Sequence, residues 1–222
     1  MFEKHHVEVI QSMGTDLTAC QAARVSFLKD VRNDDEVSER DARLIDFLVR
    51  EGHTSPFEHS VITFRITAAL PVVAQIMRHR TFSYNQASRR YTSEDIEFYD
   101  VNEWRAQATK NLQCSEGALS EDVAQEIRGV YREHCVRSLK IYEWMLEKGV
   151  SREQARFVLP QGLIAKFWMT GSLHNYIKFL RLRDTAHAQG ECREVAADMR
   201  RLLTERFPLA MSAAARTESV EH

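Results

Sequence analysis

Hydrophobic and polar positions alternate near the start of the chain, where Val7-Glu8-Val9-Ile10-Gln11 reads as a strand with one buried face. Thr15 and Asp16 then offer an N-cap for a helix running to about Phe27, and a charged, polar stretch over 32–40 reads as an exposed connection. Helical periodicity returns over 42–50, with Gly52 placed to end it. The segment 61–68 is dense in β-branched residues and predicts the clearest strand of the chain. Pro71 suits the first turn of the next helix, on which Gln75, Arg78 and His79 fall at i, i+3 and i+4 as one polar face.

The second half is more helical. A long helix is predicted over 120–148, with Ser120 as cap, Val123, Ile127, Val130, Tyr131, Leu139, Tyr142 and Met145 as its apolar stripe, and Gly149 as its stop. Ser151 and Gln154 have the spacing of a capping box for a short helix carrying Arg156 and closed by Pro160. An apolar stretch over 163–168 precedes a Thr170-Gly171-Ser172 break, and helices follow over 173–183 and about 188–206. The small, polar tail beyond Pro208 is expected to fray. The pattern predicts a helix-rich α+β single domain over 1–222 with a small, mostly antiparallel sheet of two to four strands.

Charge changes this picture. The net charge is −2, yet residues 59–93 contain no Asp or Glu while holding Arg65, Arg78, Arg80, Arg89 and Arg90. Residues 154–183 are equally free of acids and hold Arg156, Lys166, Lys178, Arg181 and Arg183. These windows carry ten bases and no acid, whereas the other 157 residues carry 20 bases and 32 acids. Two apolar segments that tolerate few charges would explain missing acids but not ten retained bases. Guanidinium forks without neighbouring carboxylates suit a phosphate-bearing ligand.

Several chemistries are excluded by absence. The chain has no GxGxxG, no GxxxxGK[ST], no GxSxG and no HExxH, and eight glycines leave little for a glycine-rich phosphate cradle. His53, His59 and His79 do not have metal-ligand spacing, so no metal is expected. The four cysteines are scattered without a CxxC pair, which fits free thiols in the cytoplasm; Cys192 reads as a buried thiol rather than a nucleophile. No apolar run reaches the ~20 residues of a membrane helix. A pI near 6.5 argues against general nucleic-acid binding.

The densest part of the first window is Arg78-His79-Arg80-x-x-Ser83-x-Asn85-x-x-Ser88-x-Arg90-Tyr91. It resembles, at every fixed position, the RHRxxSxNxxSxRY signature of the flavin-dependent thymidylate synthases. Gly52-His53-x-x-Pro56-Phe57-Glu58-His59, Ala155-Arg156-x-x-Leu159-Pro160 and Leu182-Arg183-x-x-x-x-His187-Ala188-Gln189-x-Glu191 are similar to three further blocks of that family. The likeness runs from about residue 15 to 200 and carries no diagnostic match on the long helix. It implies that family's fold and its reaction, reductive methylation of dUMP to dTMP. Methylenetetrahydrofolate would give the carbon and NADPH the electrons through FAD, without a cysteine nucleophile, in a homotetramer with active sites at subunit junctions.

By position, the resemblance places Gln75, Arg78, Gln86, Ala87, Ser88, Arg89, Arg90, Arg156 and Arg183 on dUMP. Arg183 falls where the family's arginine polarises the uracil ring, making it the implied catalytic residue. Ser55, Arg78, His79, Arg80, Thr81, Gln86, Ser172, His174 and Lys178 fall on FAD, and His53 lines the flavin pocket. Gln86 stands where many members have Glu, His174 and Lys178 where Arg and Asn are frequent, and Arg89 where a small residue is common, its backbone rather than its side chain being implied. Two other readings of the basic windows stay open from residues alone: an RNA- or nucleotide-binding module, and a different NADPH-oxidising flavoprotein.

Overall fold

The structure is a computed structural model that describes residues 1–27, 37–112 and 114–220. Most of the charged connection expected over 32–40 lies outside the described residues. In chain order the elements are β1 (Phe2–Glu3), β2 (His6–Met13), α1 (Asp16–Val25), α2 (Glu39–Arg50), β3 (Val61–Ala69), α3 (Leu70–Ile76), β4 (Ser83–Gln86), β5 (Phe98–Tyr99), β6 (Arg105–Gln107), β7 (Ser115–Ala118), α4 (Glu121–Glu147), α5 (Arg152–Ala155), β8 (Ile164–Ser172), α6 (Leu173–Arg183), α7 (Gly190–Arg206) and α8 (Pro208–Val220). The chain is α+β and helix-rich. Single 3₁₀ turns occupy Ser55–His59 and Arg156–Val158.

Among the described residues, eight strands replace the expected two to four. The additional ones are short or polar pieces such as β4, β5 and β7, which have no alternating apolar pattern to announce them. A four-stranded sheet has the order β2-β3-β8-β4, and two small two-stranded sheets pair β1 with β5 in parallel and β6 with β7 antiparallel. The apolar stretch over 163–168 and the Thr-Gly-Ser segment after it form one strand, β8, not a break.

The described residues divide into two compact units, neither of them one continuous stretch of chain. The first comprises Met1–His6, Thr67–Arg78 and Asn85–Phe167. In it α4 turns Ala124, Cys135, Ser138 and Tyr142 inward, and Phe98, Cys135 and Leu163 form one buried cluster with Phe2, Leu139 and Tyr131 against it. Val123 and Val130, expected on the core stripe of this helix, are exposed instead.

The second unit comprises Val7–Ile66, His79–Tyr84 and Trp168–His222. Its core gathers Ile45, Phe64, Tyr176, Phe179, Met199 and Phe207, all fully buried. The tail is helical over Pro208–Val220. It forms α8, whose Ala210, Met211, Ala213 and Ala214 are buried, and whose first turn donates from Leu209 N (2.9 Å) and Ala210 N (3.0 Å) to the buried Asp16 carboxylate. Small residues let this helix seat closely, and a polar-looking composition hides that inner face. Among the described residues no helix is long and apolar enough to cross a membrane.

Candidate functional site

Helix α3 ends at Ile76, one turn sooner than its polar face predicts, because Met77 already takes up the cap. Arg78 and His79 therefore follow the helix rather than extend it. The signature occupies a turn and the short strand β4, and Ala87 N donates to the Lys166 carbonyl at 2.9 Å to hold the segment after β4 beside β8.

In the first unit this segment forms one wall of a groove of about 590 Å³, within the size range of small-molecule sites. Gln86, Ala87, Ser88 and Arg89 line it with Arg156 and Lys166, above a floor of Leu70, Leu159, Leu163 and Ile164. Phe157 stands at the same groove with 79 % of its surface exposed. Glu94 and Asp95 line the groove as well. An apolar floor, an exposed ring and the Arg156 and Lys166 side chains can hold a flat base by contact and its phosphate by charge.

Arg89 lines the groove, but its guanidinium turns back on its own loop, donating to the Glu94 carbonyl and, at 2.6 Å, to that of Asp95. It thereby shapes the loop that presents Ser88. Arg156 Nε donates to the Glu153 carbonyl at 3.2 Å. Gln75 sits half-buried in the last turn of α3, Arg78 is exposed just past it, and neither lines the groove.

The expectation that the bases lack carboxylate partners holds along the chain but not in space. Arg65 pairs with Glu8, Arg90 with Glu153 at 3.7 Å and Lys166 with Glu97 at 2.8 Å. In each case folding brings in an acid from outside the two windows.

The second unit holds the other cluster. Arg183, the last residue of α6, donates from Nε to Nε2 of His79 at 3.0 Å. The His79 ring stands edge-on to Phe179, with centroids 4.8 Å apart. Burial, then the positive charges of Arg183 and Lys178, lower the His79 pKa and favour the neutral ring, whose Nε2 accepts from Arg183. His174 and Lys178 lie one turn apart on α6, and burial lowers the His174 pKa as well.

Phe82 fastens the signature turn to this unit. Its ring packs on Tyr176 and Phe179 at 4.8 and 6.2 Å. A Cβ at Gly171 would lie 2.3 Å from that ring, so only glycine admits it. Asn175 Nδ2 donates to the Thr81 carbonyl at 3.0 Å, and Ser172 Oγ accepts from Asn175 N at the start of α6. Ser55 and His53 are exposed near the 3₁₀ turn, and Arg80 is exposed beside Thr81.

Sequence reasoning missed Phe157, Lys166 and Asn175 as site residues. Lys166 was visible as a base in the second acid-free window, and Phe157 adjoins Arg156 in a matched block. Nothing along the chain points to Asn175. Among the described residues no group of three or more His, Cys, Asp or Glu side chains could hold a metal ion.

A family model described as thymidylate synthase complementing protein matches residues 8–209. A flavin-dependent thymidylate synthase from Thermus thermophilus is 42% identical over 214 residues, spanning 96% of this chain and 76% of the relative. The chain belongs to the flavin-dependent thymidylate synthases. A second flavin-dependent thymidylate synthase, from Thermotoga neapolitana, is 38% identical over 94% of this chain and 89% of its own. Among solved structures, the UMP/dUMP methylase PolB from Streptomyces cacaoi, bound with 5-Br dUMP, superposes with a TM-score of 0.86 at 30% identity over 97% of each chain.

The cysteines of this flavin-dependent thymidylate synthase chain form no disulfide, and Cys20, Cys135 and Cys192 are buried. Burial pushes the Cys192 thiol up to about 11, with Arg183 offsetting only part of the rise. Cys20 is pushed up to about 12. Neither is a thiolate at neutral pH.

Proposed function

We propose that the chain catalyses the reductive methylation of dUMP to dTMP. Methylenetetrahydrofolate gives the carbon and NADPH the electrons, in a homotetramer with active sites at subunit junctions in the cytoplasm. One observation carries this reading beyond family membership: residues of one signature stand in two places suited to anions. Gln86 to Arg89 stand with Arg156 in the groove, and His79 stands with Arg183 and near Lys178 in the second unit.

The groove suits dUMP, with Phe157 and the apolar floor against the base and Arg156 with Lys166 toward the phosphate. Gln75, Arg78 and Arg90 complete the nucleotide set. Arg183 stabilises negative charge developing on the uracil ring, since a guanidinium stays protonated throughout.

For FAD, the fit rests on the α6 end of the second unit. Ser172 at the helix N-terminus, His174, Lys178, the Thr81 carbonyl held by Asn175, and His79 offer donors and positive charge for a diphosphate and polar edges for a flavin. Ser55, Arg78, Arg80, Gln86 and His53 belong to the same proposed set. When bound, FAD supplies the relay of electrons from NADPH, a task that no side chain of this protein can perform.

The test is the purified protein's visible spectrum, then dTMP formation from dUMP, methylenetetrahydrofolate and NADPH. A yellow protein making dTMP is expected. A colourless protein that binds RNA with steep salt dependence overturns the reading, and NADPH oxidation with FAD but without dTMP selects a different oxidoreductase. A second reading has its own support, because PolB is a UMP/dUMP methylase and is also solved with 5-Br UMP. Offering UMP in place of dUMP decides whether the groove admits a ribose 2′-hydroxyl.

A further inference from the structure

Between β4 and β5 the chain runs along the groove and is tied to β8 at both ends. Ala87 N donates to the Lys166 carbonyl at 2.9 Å, and Ile164 N donates to the Glu97 carbonyl at 2.8 Å. None of residues 87–95 is buried, so this stretch has no anchor in the core and owes its shape to polar contacts. Within it Tyr91 N donates to the Ser88 carbonyl at 3.0 Å and Glu94 N to Thr92 Oγ1 at 3.1 Å. These bonds span two or three residues and close only local turns.

Arg89 reaches further. Its side chain crosses from the start of the stretch to its end, where Nη1 donates to the Glu94 carbonyl and Nη2 to the Asp95 carbonyl at 2.6 Å. Those two carbonyls flank the φ and ψ of Asp95, so holding both fixes the backbone of that residue. Asp95 has φ 51°, and among the described residues it is the only one besides glycines at positive φ. A residue with a Cβ takes that conformation at a cost and keeps it only where its surroundings hold it. The half-buried guanidinium of Arg89 supplies the hold.

We infer that Arg89 is a positioning residue, whose side chain holds the 88–95 loop of the free protein in the shape that receives the nucleotide. The inference rests on the reading of the groove as the dUMP site. Ser88, Thr92, Glu94 and Asp95 line that groove beside Arg89, so one clamp sets several polar groups of the wall together. A loop free to leave this shape would bind nucleotide only in the fraction of molecules that hold it, and affinity would fall by that fraction. Arg89 thus acts on binding through the loop and leaves the chemical step alone.

The test compares Arg89→Ala and Arg89→Lys with the wild type, each supplied with FAD. Calorimetric titration with dUMP is expected to show Kd raised about tenfold in the alanine variant, as for a loop correctly shaped in about one molecule in ten. Arg89→Lys keeps the charge but cannot bridge two carbonyls, so its Kd should lie nearer that of alanine than of the wild type. Turnover to dTMP at saturating dUMP should stay within about twofold. Hydrogen exchange at residues 90–95 should accelerate in both variants without nucleotide and return toward wild type when dUMP saturates.

A lysine variant with the wild-type Kd would mean that charge alone attracts the phosphate, and it overturns the inference. Unchanged exchange overturns it too, as does a fall in turnover with Kd unaltered. If Arg89→Ala fails to fold, the lysine variant decides on the same readouts. A wild type that binds no dUMP overturns the reading of the groove and this inference with it. A wild type that binds dUMP but makes no dTMP refutes only the enzymatic reading, and the variants still test the clamp through Kd and exchange.

Discussion

Arg183 gives its Nε proton to Nε2 of His79 across 3.0 Å, joining residues 104 positions apart. This contact restrains the guanidinium through its Nε and directs its terminal nitrogens, while the imidazole must stay neutral to accept. A signature histidine and a distant arginine therefore act as one unit.

Arg183→Ala is expected to lower dTMP formation by at least about a hundredfold, the usual consequence of removing a donor aimed at developing charge. FAD should remain bound, because Arg183 is outside the proposed flavin set. Absorbance of the bound flavin and a dTMP assay on one preparation check both halves. Near-normal turnover would remove Arg183 from the chemistry.

Acid should separate the pair. Burial and the charges of Arg183 and Lys178 hold the His79 pKa below its ordinary value near 6.5. The unfolded chain binds the proton first, so stability is full above about pH 6.5 and falls as pH is lowered toward the folded pKa. His174, also depressed by burial, adds in the same direction. Activity should drop at that lower pKa, when Nε2 becomes a donor facing Arg183. His79→Gln keeps a side-chain acceptor but cannot titrate, so it should flatten this acid limb; an unchanged pH profile would show that His79 does not control it.

Groove residues make a different prediction. Arg156→Ala should raise the KM for dUMP roughly tenfold to a hundredfold, the range of one lost charged hydrogen bond. Phe157→Ala should raise it by about threefold to tenfold through lost ring contact. Steady-state kinetics with dUMP varied at saturating folate measures both. An effect on flavin retention with no change in KM would move these residues to the cofactor.

Periodic segments were legible in the sequence. The strand β3 and the helices α2 and α6 follow from their apolar spacing. Helical spacing could not say which of two apolar faces of α4 lies inside, so Val123 and Val130 merged with Tyr142 into one stripe. The polar face over Gln75, Arg78 and His79 outran a helix that stops at Ile76. The candidate site was legible as residue types in two acid-free windows. Its pairings, Arg90 with Glu153 and Arg183 with His79, depend on tertiary contacts that no local pattern encodes.

Gly171 was read as part of a break, and its role is steric. Gly171→Ala would drive a methyl to 2.3 Å from the Phe82 ring. The substitution should remove about 1–3 kcal/mol of stability, as overpacking does. Since Phe82 adjoins Thr81, weaker FAD retention should accompany the loss. Thermal denaturation and flavin titration test the two effects, and wild-type values in both would show that the ring has room to move.

Asp16 offers the sharpest test of the C-terminal helix. Its carboxylate, 4 % exposed, accepts from Leu209 N and Ala210 N and so satisfies two of the unpaired donors in the first turn of α8. Burial raises its pKa while these two hydrogen bonds oppose the rise. Asp16→Ala leaves both donors buried without an acceptor and should cost about 1–2 kcal/mol, in the range of lost N-caps. Asp16→Asn keeps one acceptor oxygen and should cost less. Hydrogen exchange at Ala210, Met211 and Ala213 should accelerate in the alanine variant, because α8 loses its anchor to α1 while its apolar face remains. Unchanged exchange there, with unchanged melting, would mean that packing on α2 alone holds the helix.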